Sequence, residues 1–347
     1  MKKSKDFFRG CLIGGAIGDA LGWPVEFMKT NEIKRQYGEK GIQDLVLKSG
    51  YAEITDDTQM TLFTAEGILR TMTRLARKGI TSHIDVTYYA YMRWLHTQGY
   101  PKILDLNWIY DGYLIGQKKL HQRRAPGNSC ISALNSGNRR CIENPINDSK
   151  GCGGVMRMAP VGLYLDKDEA FQVGMELAAL THGHKTGFTA AGAFALIISS
   201  IIEGNDIETA AIDALTKLRH FGHPMDTYWK LFRATKLSKE NISDEEAISE
   251  LGGGWIAEEA LAIGVFCAIR YQCDFRKGII AAVNHDGDSD STGSITGNLL
   301  GAYLGINEIP KEWQEKVELK EVIEQVSDDL LLDKFDGDDV WERWPGY

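Results

Sequence analysis

The stretch Asn284-His285-Asp286-Gly287-Asp288-Ser289-Asp290-Ser291-Thr292 sets three carboxylates at alternate positions, with hydroxyls beside and behind them. Carboxylates this close repel one another unless a cation or a bound proton intervenes. Oxygen donors of this kind suit hard divalent cations: Mg²⁺, Mn²⁺ or Ca²⁺. A helix cap is the plainer explanation, because Asp and Ser favour helix starts and acids complement the dipole there. One acid suffices for a cap; three favour a metal site. A second group, Thr55-Asp56-Asp57, again joins a hydroxyl to adjacent carboxylates at a predicted helix start. Alone it reads equally well as a cap, but two such groups in one chain favour a shared centre. With Glu26 they make a candidate oxygen set of Glu26, Thr55, Asp56, Asp57, Asp288, Asp290 and Ser291. Such a set serves one or two hard cations, and two adjacent ions can polarise a water while clamping substrate oxygens.

Two further stretches carry chemistry. The run Ser149-Lys150-Gly151-Cys152-Gly153-Gly154 precedes an apolar segment over residues 155–163. Such a loop can turn backbone N–H groups towards phosphate, although most glycine-rich loops are only turns. It is not a P-loop, because the terminal Gly-Lys-Ser/Thr is missing. In Thr181-His182-Gly183-His184 either histidine can be a ligand or a substrate contact. The commoner case is a buried, hydrogen-bonded imidazole. An EF-hand fails: Asp286, Asp288 and Asp290 fit its first three ligand positions, but Ser291 stands at the sixth and Gly297 at the twelfth. Neither H-E-x-x-H nor G-x-S-x-G occurs, so zinc proteolysis and α/β-hydrolase chemistry have no support.

The elements that must position these groups follow from periodicity. Glycines at 10, 14, 18 and 22 lie on one stripe of a helix, and those at 293, 297, 301 and 305 repeat the spacing after the acidic loop. Glycine is costly inside a helix, so a stripe of it calls for close approach of another backbone. The two stripes are expected to face each other, bringing Asp19 and Glu26 towards the acidic loop. Apolar spacing predicts helices over 59–77, 83–95, 109–120, 167–181, 187–202, 207–219, 225–234, 244–251, 256–271, 275–283, 293–304 and 319–330. Gly252-Gly253-Gly254 is a breaker. Residues 31–54 and 121–160 read as irregular, and the tail over 333–347 is expected to dock through Trp341 and Trp344. No run alternates like a strand, so the chain reads as all-α and as one domain over 1–347.

Composition narrows the partners. At 347 residues, 43% hydrophobic and 25% charged, the chain is ordinary for a globular protein. A net charge of -9 argues against a nucleic-acid partner, which calls for a basic surface. Cys11, Cys130, Cys141, Cys152, Cys267 and Cys273 form no C-x-x-C pair. They read as reduced thiols of a cytoplasmic protein, without a zinc site. The apolar run over 11–17 is too short for a bilayer, and no membrane-spanning segment is expected elsewhere.

Taken together and in order, the motifs resemble those of the ADP-ribosylglycohydrolases. They are Gly10-Cys11-Leu12-Ile13-Gly14, Gly18-Asp19-Ala20-Leu21-Gly22 with Glu26, Thr55-Asp56-Asp57-Thr58-Gln59-Met60, and Arg124-Ala125-Pro126-Gly127-Asn128-Ser129. They continue with Gly151-Cys152-Gly153-Gly154-Val155-Met156-Arg157, Thr181-His182-Gly183-His184, Trp255-Ile256-Ala257-Glu258-Glu259-Ala260-Leu261 and Gly287-Asp288-Ser289-Asp290-Ser291-Thr292-Gly293. The resemblance implies a compact orthogonal helical bundle with two Mg²⁺ or Mn²⁺ ions and an irregular substrate side at about 121–160. It implies ligands from Thr55, Asp56 and Asp57 on one side and from Asp288, Asp290 and Ser291 on the other, with Asp290 bridging. Glu26 matches a glutamate at the metals that exchanges with substrate. Ser149, Lys150, Gly151, Cys152 and Gly153 match the part that wraps the diphosphate and ribose, and His182 matches a ligand contact. The family reaction cleaves the glycosidic bond between ADP-ribose and its acceptor. The motifs look most like the arginine-directed branch, which implies an ADP-ribosylated protein as substrate and ADP-ribose as product; the sequence does not give the oligomeric state, and a monomer is favoured. Asp56 or Glu26 would manage the proton. Asp286 departs from the family pattern, where glycine is frequent. A non-catalytic ADP-ribose-binding relative and a metal-dependent nucleotide phosphoesterase are the alternatives.

Overall fold

Gly10, Gly14, Gly18 and Gly22 share one face of the first helix, α1 (Lys5–Gly22). The computed structural model describes residues 2–222 and 225–347. After α1 the chain runs through α2 (Thr30–Tyr37), α3 (Asp56–Lys78), α4 (His83–Thr97), α5 (Asn128–Asn135) and α6 (Ala159–Tyr164). A contiguous helical series follows: α7 (Lys167–Ala179), α8 (Lys185–Glu203), α9 (Ile207–Phe221), α10 (Asp226–Leu237), α11 (Asp244–Leu251), α12 (Ala257–Arg270) and α13 (Phe275–Val283). The chain closes with α14 (Ser289–Leu304), α15 (Lys311–Gln314), α16 (Lys320–Asp329) and α17 (Asp338–Arg343). Among the described residues strand pairing is limited to four isolated bridges, so the fold is all-α.

The expected glycine seam is the axis of the structure. α1 and α14 run antiparallel with their backbones touching. A Cβ on Gly18 would fall 1.9 Å from the Gly293 carbonyl oxygen, one on Gly297 2.0 Å from that of Gly14, and one on Gly301 1.9 Å from that of Gly10. No side chain fits these gaps. The same antiparallel register sets Gly22 against Ser289, while Gly305, past the far end of α14 with a φ of +88°, faces Asp6. The consequence for function is positional: the C-terminal end of α1 is fixed against the N-terminal end of α14.

α8 passes the length and composition test for a membrane span, unlike the sequence expectation, yet 94% of its most apolar stretch is buried inside the protein. It is a core helix. Several other expectations need correction. Residues 109–120 are not a helix but two short 3₁₀ turns, Asn107–Ile109 and Lys118–Leu120. Between them Gly112 takes a φ of +96°, which a helix cannot accommodate. The segments read as irregular contain α2, α5 and α6. α14 begins at Ser289, four residues before the position expected from Gly293, so the acidic residues belong to its cap and first turn. The tail docks as expected: Trp344 is fully buried and its indole N–H donates to Asp329 at 2.8 Å. Trp341 packs under the Arg77 guanidinium at 5.0 Å.

Candidate active site

Three chain segments converge where α1 meets α14. α14 is capped by Asp288, whose carboxylate accepts the Ser291 N–H at 3.3 Å. Asp290 accepts the same N–H at 2.9 Å. α3 is capped by Thr55, whose hydroxyl accepts the Asp57 N–H at 3.3 Å. α1 leads through one 3₁₀ turn, Trp23–Val25, into Glu26. The Ser291 hydroxyl donates to Asp57 across the gap at 3.3 Å. One carboxylate oxygen each from Glu26, Asp288 and Asp290 lies within 4.8 Å of the others. So both reasons for placing acids at a helix start operate here, and the cap and the cluster are the same atoms.

Asp19 serves this arrangement from outside it. Its carboxylate accepts the N–H groups of Thr55 at 3.0 Å and Thr58 at 3.1 Å, and the Thr58 hydroxyl at 2.5 Å. It thereby ties α1 to the first turn of α3. Burial raises it to about 6 even with these donors.

The electrostatics of the cluster are unusual. Glu26, Asp56, Asp57, Asp288 and Asp290 are all buried, and none has an ion-pair partner among the described residues. Burial, then the charges of Asp288, Asp56 and Asp19, pushes Glu26 up to about 9. Asp56 rises to about 8, with burial again the first cause. Burial raises Asp57, Asp288 and Asp290 as well. Glu26 Oε2 and Asp57 Oδ1 are buried without any hydrogen-bond partner. Adjacent buried acids with orphaned oxygens and no protein cation are a donor set that fits a divalent metal ion.

The cluster floors a cavity of about 750 Å³. Asp56, Asp57, Asp288, Asp290, Ser291 and Glu26 all line it. Thr55 sits behind them, its hydroxyl used as the α3 cap. One wall is the glycine-rich loop, of which Gly151, Cys152 and Gly153 face the cavity together with His182. The glycines lie flat on the His182 ring: a Cβ on Gly153 would come 3.1 Å from its Cε1 and from Cys130 Sγ. His182 is paired with the Thr181 hydroxyl at 2.8 Å, and burial and the Arg157 charge lower it to about 3, so it is neutral. The Cys152 thiol donates to Asp288 at 2.7 Å. Ser149 and Lys150 do not line the cavity. Ser149 pairs with the Ser129 hydroxyl at 2.7 Å, and Lys150 pairs with Glu258. His184 caps α8, accepting the Thr186 N–H at 3.1 Å.

The breaker Gly252-Gly253-Gly254 supports the acidic loop from behind. Asp288 N–H donates to the Gly253 carbonyl at 2.8 Å, and a Cβ on Gly287 would fall 1.9 Å from that oxygen. Asp286 points away from the cluster. It accepts the Thr30 N–H at 2.5 Å and hydroxyl at 2.6 Å, and these bonds hold its carboxyl below its usual range. Sequence reading placed Trp255 in a motif without giving it a role and missed Phe27 altogether. Phe27 and Trp255 are exposed, line the cavity and stack at 5.4 Å with 22° between their planes. The only signal for Phe27 was adjacency to Glu26; Trp255 follows the glycine breaker and opens one of the motifs.

Comparison with known proteins agrees with the motifs. The family model described as ADP-ribosylglycohydrolase matches residues 1–339. ADP-ribosylhydrolase ARH3 of Bos taurus is 24% identical, over 91% of this chain and 90% of that protein. ADP-ribosylarginine hydrolase Tri1 of Serratia proteamaculans is 24% identical, over 95% of this chain and 80% of that protein. A solved structure titled ADP-ribosylglycohydrolase-related protein complex shares the fold, with a TM-score of 0.64 at 21% identity, covering 95% of this chain and 99% of that one. With nearly the whole chain matched by the family model, the chain belongs to the ADP-ribosylglycohydrolase family.

Proposed function

We propose that this chain hydrolyses the N-glycosidic bond between ADP-ribose and a protein arginine, using two Mg²⁺ ions, or Mn²⁺, at the carboxylate cluster. The observation that carries the reading is the buried set of Glu26, Asp56, Asp57, Asp288 and Asp290 without a protein cation, at the floor of a nucleotide-sized cavity. Asp56, Asp57, Asp288, Asp290 and Ser291, with Thr55 behind them, would hold the ions. When bound, these supply the positive charge that activates water and fixes ribose oxygens. Asn128 and Ser129 at the start of α5 line the cavity wall beside Gly151, Cys152 and Gly153, and a helix start there suits a diphosphate. The cleft around the floor holds the anomeric carbon next to the attacking water, which supplies much of the rate by positioning. Water oxygen bonds to the anomeric carbon, the carbon–nitrogen bond breaks, and the water's proton ends on the leaving guanidine. Asp56 or Glu26 carries that proton.

The likeness to Tri1, named for ADP-ribosylarginine, supports the arginine linkage. The test is a direct one. Purified protein with Mg²⁺ is given ADP-ribosyl-arginine and ADP-ribosyl-serine peptides in parallel, and free ADP-ribose is measured. Release from arginine only is expected. Release only from serine overturns the linkage, binding of ADP-ribose without turnover indicates a non-catalytic relative, and AMP release indicates a phosphoesterase.

A further inference from the structure

Lys150 stands in the loop that walls the cavity, yet its ammonium turns away and pairs with Glu258 in the first turn of α12. Glu258 is buried, and its second oxygen, Oε2, has no hydrogen-bond partner. The carboxylate therefore depends on Lys150 for its neutralisation, and separating the two would strand a buried charge. The backbone on either side of Lys150 is fastened to the same place. Ala257 N–H donates to the Lys150 carbonyl at 2.9 Å, and Cys152 N–H donates to the Trp255 carbonyl at 3.1 Å. On the opposite flank α8 presses close, since a Cβ on Gly187 would lie 3.0 Å from Lys150 Cα. The loop is thus clamped between α8 and the start of α12, and the one charged side chain in it serves the clamp.

We infer that Lys150 is a positioning residue: through Glu258 it holds the glycine-rich loop against the cavity, and it does not itself contact the substrate's diphosphate. This rests on the reading that the cavity takes an ADP-ribosyl group. A direct contact would require the ammonium to abandon a buried carboxylate, which costs more than one exposed phosphate contact returns.

The two roles predict opposite signs for one variant. ADP-ribose binding to the Mg²⁺-loaded full chain is measured by calorimetry for Lys150→Met, Glu258→Gln and the double variant. A tether predicts that each single change weakens binding about tenfold, as expected for a displaced binding loop. The double variant should be no weaker than either, and KM should rise more than kcat falls. Lys150→Arg, which keeps the charge, should restore part of the affinity. A diphosphate contact predicts that Glu258→Gln frees the lysine and leaves binding unchanged or tighter, while Lys150→Met alone weakens it. That pattern overturns the inference, as do additive losses or a lowered melting temperature with unchanged affinity. Wild-type protein that binds no ADP-ribose overturns the functional reading and this one with it. Wild type that binds, with variants that bind equally well, overturns the tether alone.

Discussion

Helix α3 carries two buried acidic sites, and the chain treats them in opposite ways. At its middle, Glu66 is fully buried and receives the Arg70 Nε–H at 3.1 Å and the Arg93 Nε–H at 2.9 Å, both from buried guanidiniums. At its start, Asp56 and Asp57 are equally buried and receive no cation from the protein. Of the basic residues nearby, Arg123 lines the cavity without an ion pair to the cluster, its guanidinium lying over the Tyr100 ring at 5.7 Å, and three others are committed elsewhere. Arg124 pairs with Glu53 and Glu318, Lys150 with Glu258, and Arg157 donates to Thr181 and Cys130. Where an acid is structural the sequence supplies a counter-charge, as at Glu66, or a full set of N–H and O–H donors, as at Asp19; at the cluster neither is complete, and the charge must come from outside. Burial without a partner, more than acidity itself, is what separates a functional carboxylate here from an architectural one.

The largest test of this contrast sets Asp290 against Glu66. Asp290→Asn should cut hydrolysis by about 10³-fold, the scale of losing one charge-stabilising group at a reacting centre. In metal-free buffer it should leave the melting temperature unchanged or raise it, because one of several repelling charges is gone. Glu66→Gln should do the reverse. It strands two buried guanidiniums at a cost of about 3 to 5 kcal/mol of stability, while turnover per folded molecule holds. Urea unfolding and single-turnover release of ADP-ribose measure the two quantities. If both variants lost stability alike, the distinction between the two ends of α3 would fail.

Metal removal gives a second, smaller test. Without a cation, Glu26 and Asp56 hold protons in the folded state up to about 9 and about 8, against ordinary values of 4.5 and 3.8 when unfolded. The folded state then binds more protons than the unfolded one across that window, so stability falls as pH rises through it. Chelator-treated protein should melt at progressively lower temperature from about pH 6 to about pH 9. Mg²⁺ should raise the melting temperature most at the alkaline end, where it no longer competes with protons. A Mg²⁺ shift of the same size at every pH would sink the proposal that these carboxylates hold the ion.

Both halves of the cluster and the seam that joins them were legible in the sequence because each is a local pattern. Alternating acids and a four-residue glycine period need no knowledge of the fold. What could not be read depended on distant partners or on short elements. Lys150 looks like a phosphate contact until Glu258 is seen beside it. Phe27 is a single aromatic, which in sequence reads as core, and the motif that holds Trp255 does not show that its ring meets Phe27 at the cavity. α2 and α5 have eight residues each, too few for periodicity to mark. Residues 109–120 carried a helical pattern that the left-handed Gly112 defeats.

The smallest effect concerns Asp286, which in sequence looks equal to Asp288 and Asp290. In the structure it lies on the other side of the loop, with its side chain half-exposed and 3.6 Å from the Lys29 ammonium, serving Thr30 at the start of α2. It thus repeats, in one chain segment, the division found along α3: a paired acid that builds, beside unpaired acids that bind. Asp286→Asn should therefore leave hydrolysis and Mg²⁺ affinity within about twofold. Weakening the anchor of a short helix start should cost only about 0.5 to 1 kcal/mol of stability. A Mg²⁺ titration followed by the melting temperature reads both quantities. A tenfold loss of Mg²⁺ affinity would put Asp286 back among the ligands and erase the boundary drawn between the two kinds of acid.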